Sequence, residues 1–170
     1  MIHPNAFVDD TVTIGEGTNV WQFASVIRGA RIGSGCNIAS GACIDGSTIG
    51  HGCIIGHNLA MGPGFLIGNA VFIGPNVTFC NDAWPRAHKL GFDVRKYEDG
   101  QYAVIVADGA TVGAGAVILP GVHIGEKAMI AANAVVTRNV PANHLWKGNG
   151  DISEIVNESE KKRMRFADHG

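Results

Sequence analysis

Branched aliphatic residues recur at every sixth position along most of this chain. The first run is Ile2, Val8, Ile14, Val20, Val26, Ile32, Ile38 and Ile44. A five-residue step then resets the phase to Ile49, Ile55, Met61, Ile67, Ile73 and Phe79. A third run follows as Val106, Val112, Ile118, Ile124, Ile130 and Val136. With Val and Ile at about one residue in five, eight successive hits have a chance probability of roughly 10⁻⁶. A repeat of that regularity dictates the architecture.

Six is a multiple of two, so every marked residue points to the same side of an extended chain, whereas on a helix the positions would wander around the axis. Two residues before each marked position the side chain is usually small or apolar, as at Val12, Thr18, Ala24, Ala30, Cys36 and Ala42. Glycine often follows the marked residue (Ile14-Gly15, Ile32-Gly33, Ile55-Gly56, Ile73-Gly74, Val112-Gly113), and these glycines are expected to supply positive φ at tight corners. The simplest object with this pattern is a coil of short strands and corners, about 18 residues per triangular turn, stacked as a parallel β-helix. Between six and seven turns at about 4.8 Å each make a prism roughly 30 Å tall.

One domain is expected over residues 1–150, with a helical cap over 151–170. Asp151-Ile152-Ser153-Glu154 is followed by Lys161, Lys162, Arg163 and Arg165, placing acids early and bases late as a helix dipole favours. The net charge of −2 implies no polyanion-binding surface. No apolar run is long enough to span a bilayer, and Met1-Ile2-His3-Pro4 enters the repeat directly, which points to a cytoplasmic protein without a leader. The four cysteines lack metal-type pairing, and Cys36 and Cys53 fall on interior positions, where a reduced thiol acts as a small apolar group.

Charge is concentrated where the repeat breaks. Residues 1–79 carry Asp9, Asp10, Glu16, Arg28, Arg31 and Asp45, whereas 80–104 carry Asp82, Arg86, Lys89, Asp93, Arg95, Lys96, Glu98 and Asp99. A loop over about 82–104, rich in aromatic residues (Trp84, Phe92, Tyr97, Tyr102), reads as a catalytic or substrate-covering arm.

The repeat, the entry Ile2-His3-Pro4 and the runs Val20-Trp21-Gln22-Phe23 and Arg28-Gly29-Ala30-Arg31-Ile32-Gly33 resemble the hexapeptide-repeat acyltransferases. Gly74-Pro75-Asn76-Val77-Thr78-Phe79-Cys80-Asn81-Asp82, followed by Pro85-Arg86, resembles more particularly the bacterial enzymes that N-acetylate nucleotide-linked 3-amino sugars. The runs 113–122 and 134–141 are common to many hexapeptide acyltransferases. Family members often end Gly-Asn-Pro where this chain has Gly148-Asn149-Gly150. The resemblance implies an all-β, left-handed parallel β-helix, a homotrimer, acetyl-CoA as co-substrate and a nucleotide-linked amino sugar as acceptor. No nucleic acid, membrane or metal is expected.

The chemistry so implied is direct attack of a sugar amine on a thioester, which needs an unprotonated amine and donors for the developing oxyanion. Asn81 can accept from the amine or donate to the acyl group, and Asp82 can orient the amine. As an Asn-Asp pair, both also suit a turn that closes the last strand. His57 can reach a substrate across a subunit interface as general base, with Asn58 beside it. Arg86 and His88 in the loop are candidate substrate contacts. Gly113, Ala114, Ala131 and Ala132 offer close backbone approach to a pantetheine arm, with Arg138 and Lys147 for its phosphates. Cys80 has no neighbouring base to activate it for acyl-enzyme chemistry. The alternatives are a sugar O-acetyltransferase, a non-catalytic scaffold, and a γ-class carbonic anhydrase-like zinc protein using His51, His57 and His123. The last needs three converging imidazoles, and the five-residue gap between His51 and His57 does not supply the closer pair of that family.

Overall fold

A computed structural model describes residues 1–87 and 102–155. The six-residue period becomes strands of two or three residues separated by corners, all but the last pairing in parallel with the coil above or below. They form three faces: sheet I of seven strands, from Phe7–Val8 to Val135–Val136; sheet II of six, from Thr13–Ile14 to His123–Ile124; and sheet III of eight, from Asn19–Val20 to Ile152–Glu154. Each coil visits I, II and III in turn, so three kinds of corner run the length of the prism. Among the described residues no helix is long and apolar enough to cross a membrane.

The marked aliphatics line the interior. Ile38, Ile55, Ile73, Val112 and Ile130 stack behind sheet III, and Trp146 closes the column at 2 % exposure. Their companions two residues earlier (Ala24, Ala30, Cys36, Ala42, Cys53) are equally buried, and the cysteines are free. Each full burial of a branched aliphatic is worth about 1.5–3 kcal/mol before chain entropy.

The corner glycines correct the sequence reading. Gly15, Gly33, Gly56, Gly74 and Gly113 do not adopt positive φ. They are glycine because a Cβ would strike the backbone of the next coil: at Gly56 it would lie 2.4 Å from the Gly74 carbonyl carbon, and at Gly74 2.6 Å from the Ala114 nitrogen. The left-handed residue sits two places further on, at Gly17, Gly35, Gly41, Asn58, Asn76, Gly115 and Asn133. Gly and Asn tolerate that region with the least steric cost.

Two irregularities fall on the corner between sheets I and II. The five-residue step is absorbed there by Gly46 (φ 60), whose N–H donates to Ile27 O at 2.9 Å, and strand register continues undisturbed on either side. The charged loop leaves the same corner, between Thr78–Phe79 and Val104–Val106. Partners one coil apart are 18 residues apart before it, 17 where the short step intervenes, and 39 across it.

The start of the expected C-terminal helix is a strand instead. Ile152–Glu154 pairs antiparallel with His144–Trp146 after a turn closed by Lys147 N–H to Asp151 O at 2.8 Å. The open edge of the last coil offers its hydrogen bonds there, and Ile152 packs on the core, which outweighs a dipole pattern of a few tenths of a kcal/mol per charge. The rest of the cap, from Val156 on, lies outside the described residues.

Candidate active site at the loop-bearing corner

Position in the hexad decides which edge of the prism a side chain occupies. Arg28, Gly46, Pro63 and Asn81 succeed one another up the corner between sheets I and II, with Arg138 further along the same edge. Contacts fix this stack: a Cβ on Gly46 would meet Arg28 O at 3.3 Å and Pro63 Cβ at 3.4 Å, and the Asn81 Nδ2 amide donates to Pro63 O at 3.1 Å. That bond turns the Asn81 amide down the corner, with its backbone anchored where Cys80 N–H donates to Ile118 O at 2.9 Å. Asp82 Oδ1 accepts from Trp84 N–H at 2.9 Å and so closes the turn that starts the loop. Asn81 and Asp82 are half-buried, while Trp84 and Arg86 are exposed. His88 lies outside the described residues. Tyr102 stands where the chain returns, its neighbour Ala103 donating to Gly64 O at 2.7 Å.

His57 and Asn58 occupy a different edge, the corner between sheets III and I. Asn58 is left-handed (φ 56) and its Nδ2 donates to Asn76 Oδ1 at 3.3 Å, so a corner role accounts for its identity. His57 is exposed. Above it on the same edge come Pro75, Gly113-Ala114, Ala131-Ala132 and finally Lys147, since Gly74 stacks on Ala114 and Gly113 on Ala132. Five of the six proposed cofactor contacts thus share one edge with His57. Arg138 does not: it lies on the loop-bearing edge, its guanidinium 5.3 Å from the Trp146 ring centroid and its Nη2 donating to Gly150 O at 3.3 Å. Within one chain, Asn81 and His57 stand on separate edges.

The three histidines considered for zinc do not converge within the chain. His51, at the corner between II and III, accepts Ser34 N–H on Nδ1 at 3.0 Å; His57 is one corner on; His123 projects from sheet II. Among the described residues no three His, Cys, Asp or Glu side chains are grouped to hold a metal.

Sequence reasoning passed over the cavity below Asn81. It has a volume of about 490 Å³ and is lined by Arg28, Arg31, Asp45, Pro63, Phe65 and Tyr102 among others. Arg28 is a left-handed non-glycine residue (φ 54) braced from behind: its N–H donates to Asp9 Oδ2 at 2.6 Å, and Gly29 N–H donates to Thr11 Oγ at 2.8 Å. The Asp9 carboxyl is held below its ordinary range, first by the Thr11 hydroxyl and then by the Arg28 N–H. The Arg28 side chain reaches one coil up to Asp45 Oδ2 at 2.5 Å. The available signal was the shortened step one coil above Arg28-Gly29-Ala30-Arg31, the one stretch of the first run that carries arginine.

Residues 103–138 match the family model described as bacterial transferase hexapeptide (six repeats). The galactoside O-acetyltransferase of Lactococcus lactis is 34% identical over 103 residues, 59% of this chain and 46% of that protein. A 2,3,4,5-tetrahydropyridine-2,6-dicarboxylate N-acetyltransferase of Staphylococcus aureus is 49% identical over 45 residues, 26% of this chain and 19% of that protein. The chain thus spans less than half the length of the curated relatives it matches. Among solved structures, the N-acyltransferase AntD of Bacillus cereus, in complex with dTDP and 3-hydroxybutyryl-CoA, superposes with a TM-score of 0.58 at 17% identity, covering 96% of this chain and 84% of AntD. That likeness is one of fold. Residues 103–138 thus carry the six-repeat hexapeptide pattern of bacterial transferases, and the chain folds as a left-handed parallel β-helix.

Proposed function

We propose that this protein transfers an acetyl group from acetyl-CoA to the amino group of a nucleotide-linked amino sugar. The observation that carries the reading is the placement of Asn81: a side-chain amide fixed on a rigid corner, at the mouth of the charged loop, above an arginine-lined cavity. Acetyl transfer itself is supported by the matched relatives, which carry that activity in their names.

The amine lone pair attacks the thioester carbonyl carbon, the carbon–sulfur bond breaks, and the CoA thiolate leaves while the new amide nitrogen loses a proton. Asn81 holds the reacting atoms and meets the charge that develops on them, and Asp82 orients the amine and offsets its positive charge. Acetyl-CoA lies along the III–I edge, against Gly113, Ala114, Ala131 and Ala132 with Lys147 at its end. Arg86 and His88 serve the acceptor from the loop. The enzyme works in the cytoplasm as a homotrimer, in which one subunit's His57 edge meets the neighbour's Asn81 edge. The exposed apolar side chains support this packing: Phe7 and Val135 on sheet I, Ile54 and Phe72 on sheet III, and Trp21 and Phe23 at the corner between them.

A second reading, a sugar O-acetyltransferase, draws on the 34% identity to the Lactococcus galactoside enzyme over 59% of this chain. One assay separates the two. Purified protein with acetyl-CoA is offered nucleotide-linked 3-amino and 4-amino sugars beside uncharged galactosides, and products are read by mass spectrometry. N-acetylation of a nucleotide-linked amine is the expected result. Turnover confined to galactosides would replace the reading with O-acetylation, and a monomer at micromolar concentration in sedimentation would remove the shared site.

A further inference from the structure

We propose that Arg28, Arg31 and Asp45 form a subsite for the diphosphate of the acceptor, with Asp45 receiving a hydrogen bond from a ligand hydroxyl or N–H. The inference rests on the nucleotide-linked reading and assigns it residues that neither the family match nor the proposed mechanism uses.

Three observations support it. The first is charge. Two guanidiniums line one cavity, and among the described residues Arg31 has no ion-pair partner. A planar guanidinium fork suits two phosphate oxygens at once. The Arg28 side chain remains 67% exposed despite its bond to Asp45, so the outer edge of the fork is open to a ligand.

The second is an unmet acceptor. Asp45 is 7 % exposed, and its Oδ1 is buried without a hydrogen-bond partner, while Oδ2 takes the Arg28 contact. Buried carboxylate oxygens are nearly always satisfied. Asp45 lines the cavity, so a small rotation of its carboxylate on ligand binding would bring the orphan oxygen to a donor that arrives with the ligand. A diphosphate carrying a sugar offers hydroxyl groups next to its anionic oxygens, and it presents more of those oxygens to two guanidiniums than inorganic phosphate does. The two guanidiniums therefore favour a diphosphate over inorganic phosphate by the number of anionic oxygens they can meet at once.

The third is spacing. Arg28 lies three coils below Asn81 on the same edge, but its guanidinium reaches up one coil to Asp45 and the Asn81 amide reaches down one coil to Pro63. With about 4.8 Å per coil, roughly 5–10 Å separates the two groups. That gap suits a sugar ring lying between an amine at Asn81 and phosphates at the arginines, with Tyr102 and Phe65 walling the cavity beside it.

The test is calorimetric titration of the full chain with UDP, dTDP, GDP, pyrophosphate, inorganic phosphate and CoA. Arg28→Ala removes the cation from buried Asp45 and is expected to destabilise the fold, so Arg31→Ala is the decisive variant. At least one nucleoside diphosphate should bind the wild type more tightly than inorganic phosphate does. Its affinity should fall roughly tenfold or more in Arg31→Ala, as expected for loss of a charge-assisted bond, with partial recovery in Arg31→Lys and unchanged CoA affinity. Equal nucleoside diphosphate affinity in wild type and Arg31→Ala would overturn the subsite and leave the nucleotide-linked reading standing. Absence of any nucleoside diphosphate binding, with acetylation of uncharged galactosides, would overturn both.

Discussion

The two edges that flank sheet I are built from the same hexad and have diverged. The III–I edge is the more regular: left-handed Gly and Asn after Phe23 in its first corner, stacked glycines, a ladder in which Asn58 donates to Asn76, and exposed apolar side chains on either side. The I–II edge carries the shortened step at Gly46, a left-handed Arg28, an unsatisfied oxygen on Asp45 and the long loop. A stacked coil tolerates irregularity only at a corner, because a change within a strand would shift every later inner residue out of the core. Chemistry that needs charged or bulky groups is therefore confined to an edge where the repeat has been relaxed. The regular edge is left as a smooth track for an extended ligand or another subunit.

The strongest way to break this contrast is to remove the side chain on which the catalytic role proposed for the I–II edge depends. Asn81→Ala is expected to lower kcat for amine acetylation by about 10²–10³, or roughly 2.7–4 kcal/mol, the usual loss for a rigid group aimed at developing charge. The KM for acetyl-CoA should change little, because the contacts proposed for the cofactor lie on the other edge. Steady-state kinetics with both substrates varied is the check. Near-normal turnover with an unchanged oligomer would exclude Asn81 from the mechanism and leave His57 and His88 as the residues to test.

The inner column could be read from the sequence because burial repeats every six residues and little else satisfies that period. Val20, Val26, Ile38 and Ile44 are fully buried as the pattern required, and Cys36 and Cys53 behave as interior residues. The place where the loop leaves was legible for the same reason. Corner geometry was not. Ile-Gly pairs suggested positive φ, yet the demand on those glycines comes from the neighbouring coil, a contact 18 residues away that no local pattern displays. The Arg28–Asp45 pair was hidden in the same way, its members 17 residues apart and joined only once the coils stack. Ile152–Glu154 was missed because the acids and bases of the segment were weighed against a helix alone, without the open edge of the preceding strand.

A paired substitution sharpens the comparison between edges. Gly74→Ala on the III–I edge places a Cβ 2.6 Å from the Ala114 nitrogen, and backbone cannot step aside as a flexible side chain can. Overpacking of this kind costs about 1–3 kcal/mol, occasionally more. Gly29→Ala on the I–II edge meets nothing within 4 Å but must adopt φ 69, a penalty of roughly 1–2 kcal/mol for a left-handed L-residue. Chemical denaturation of the two variants under identical conditions should therefore rank Gly74→Ala as the less stable. The reverse ranking would mean that the loop-bearing edge is the more tightly constrained of the two.

The smallest expected effect concerns the brace behind Arg28. Asp9 is half-buried, and its carboxyl is held below the ordinary value by the Thr11 hydroxyl and the Arg28 N–H, both of which favour the charged form. A folded-state pKa below the unfolded value of 3.8 means that the stabilisation is fully present above that value. It is lost as pH falls through the folded pKa. Asp9→Asn has no charge to lose, so its melting temperature should lie slightly below that of the wild type by a constant margin between about pH 5 and 8. The two melting curves should then converge as the solution is acidified below about pH 4. Solvent screening keeps the margin small, and paired melts in low salt are the condition in which to see it. A margin that grows on acidification would show that Asp9 does not act through its carboxylate, and the left-handed Arg28 would then depend on Thr11 and Asp45 alone.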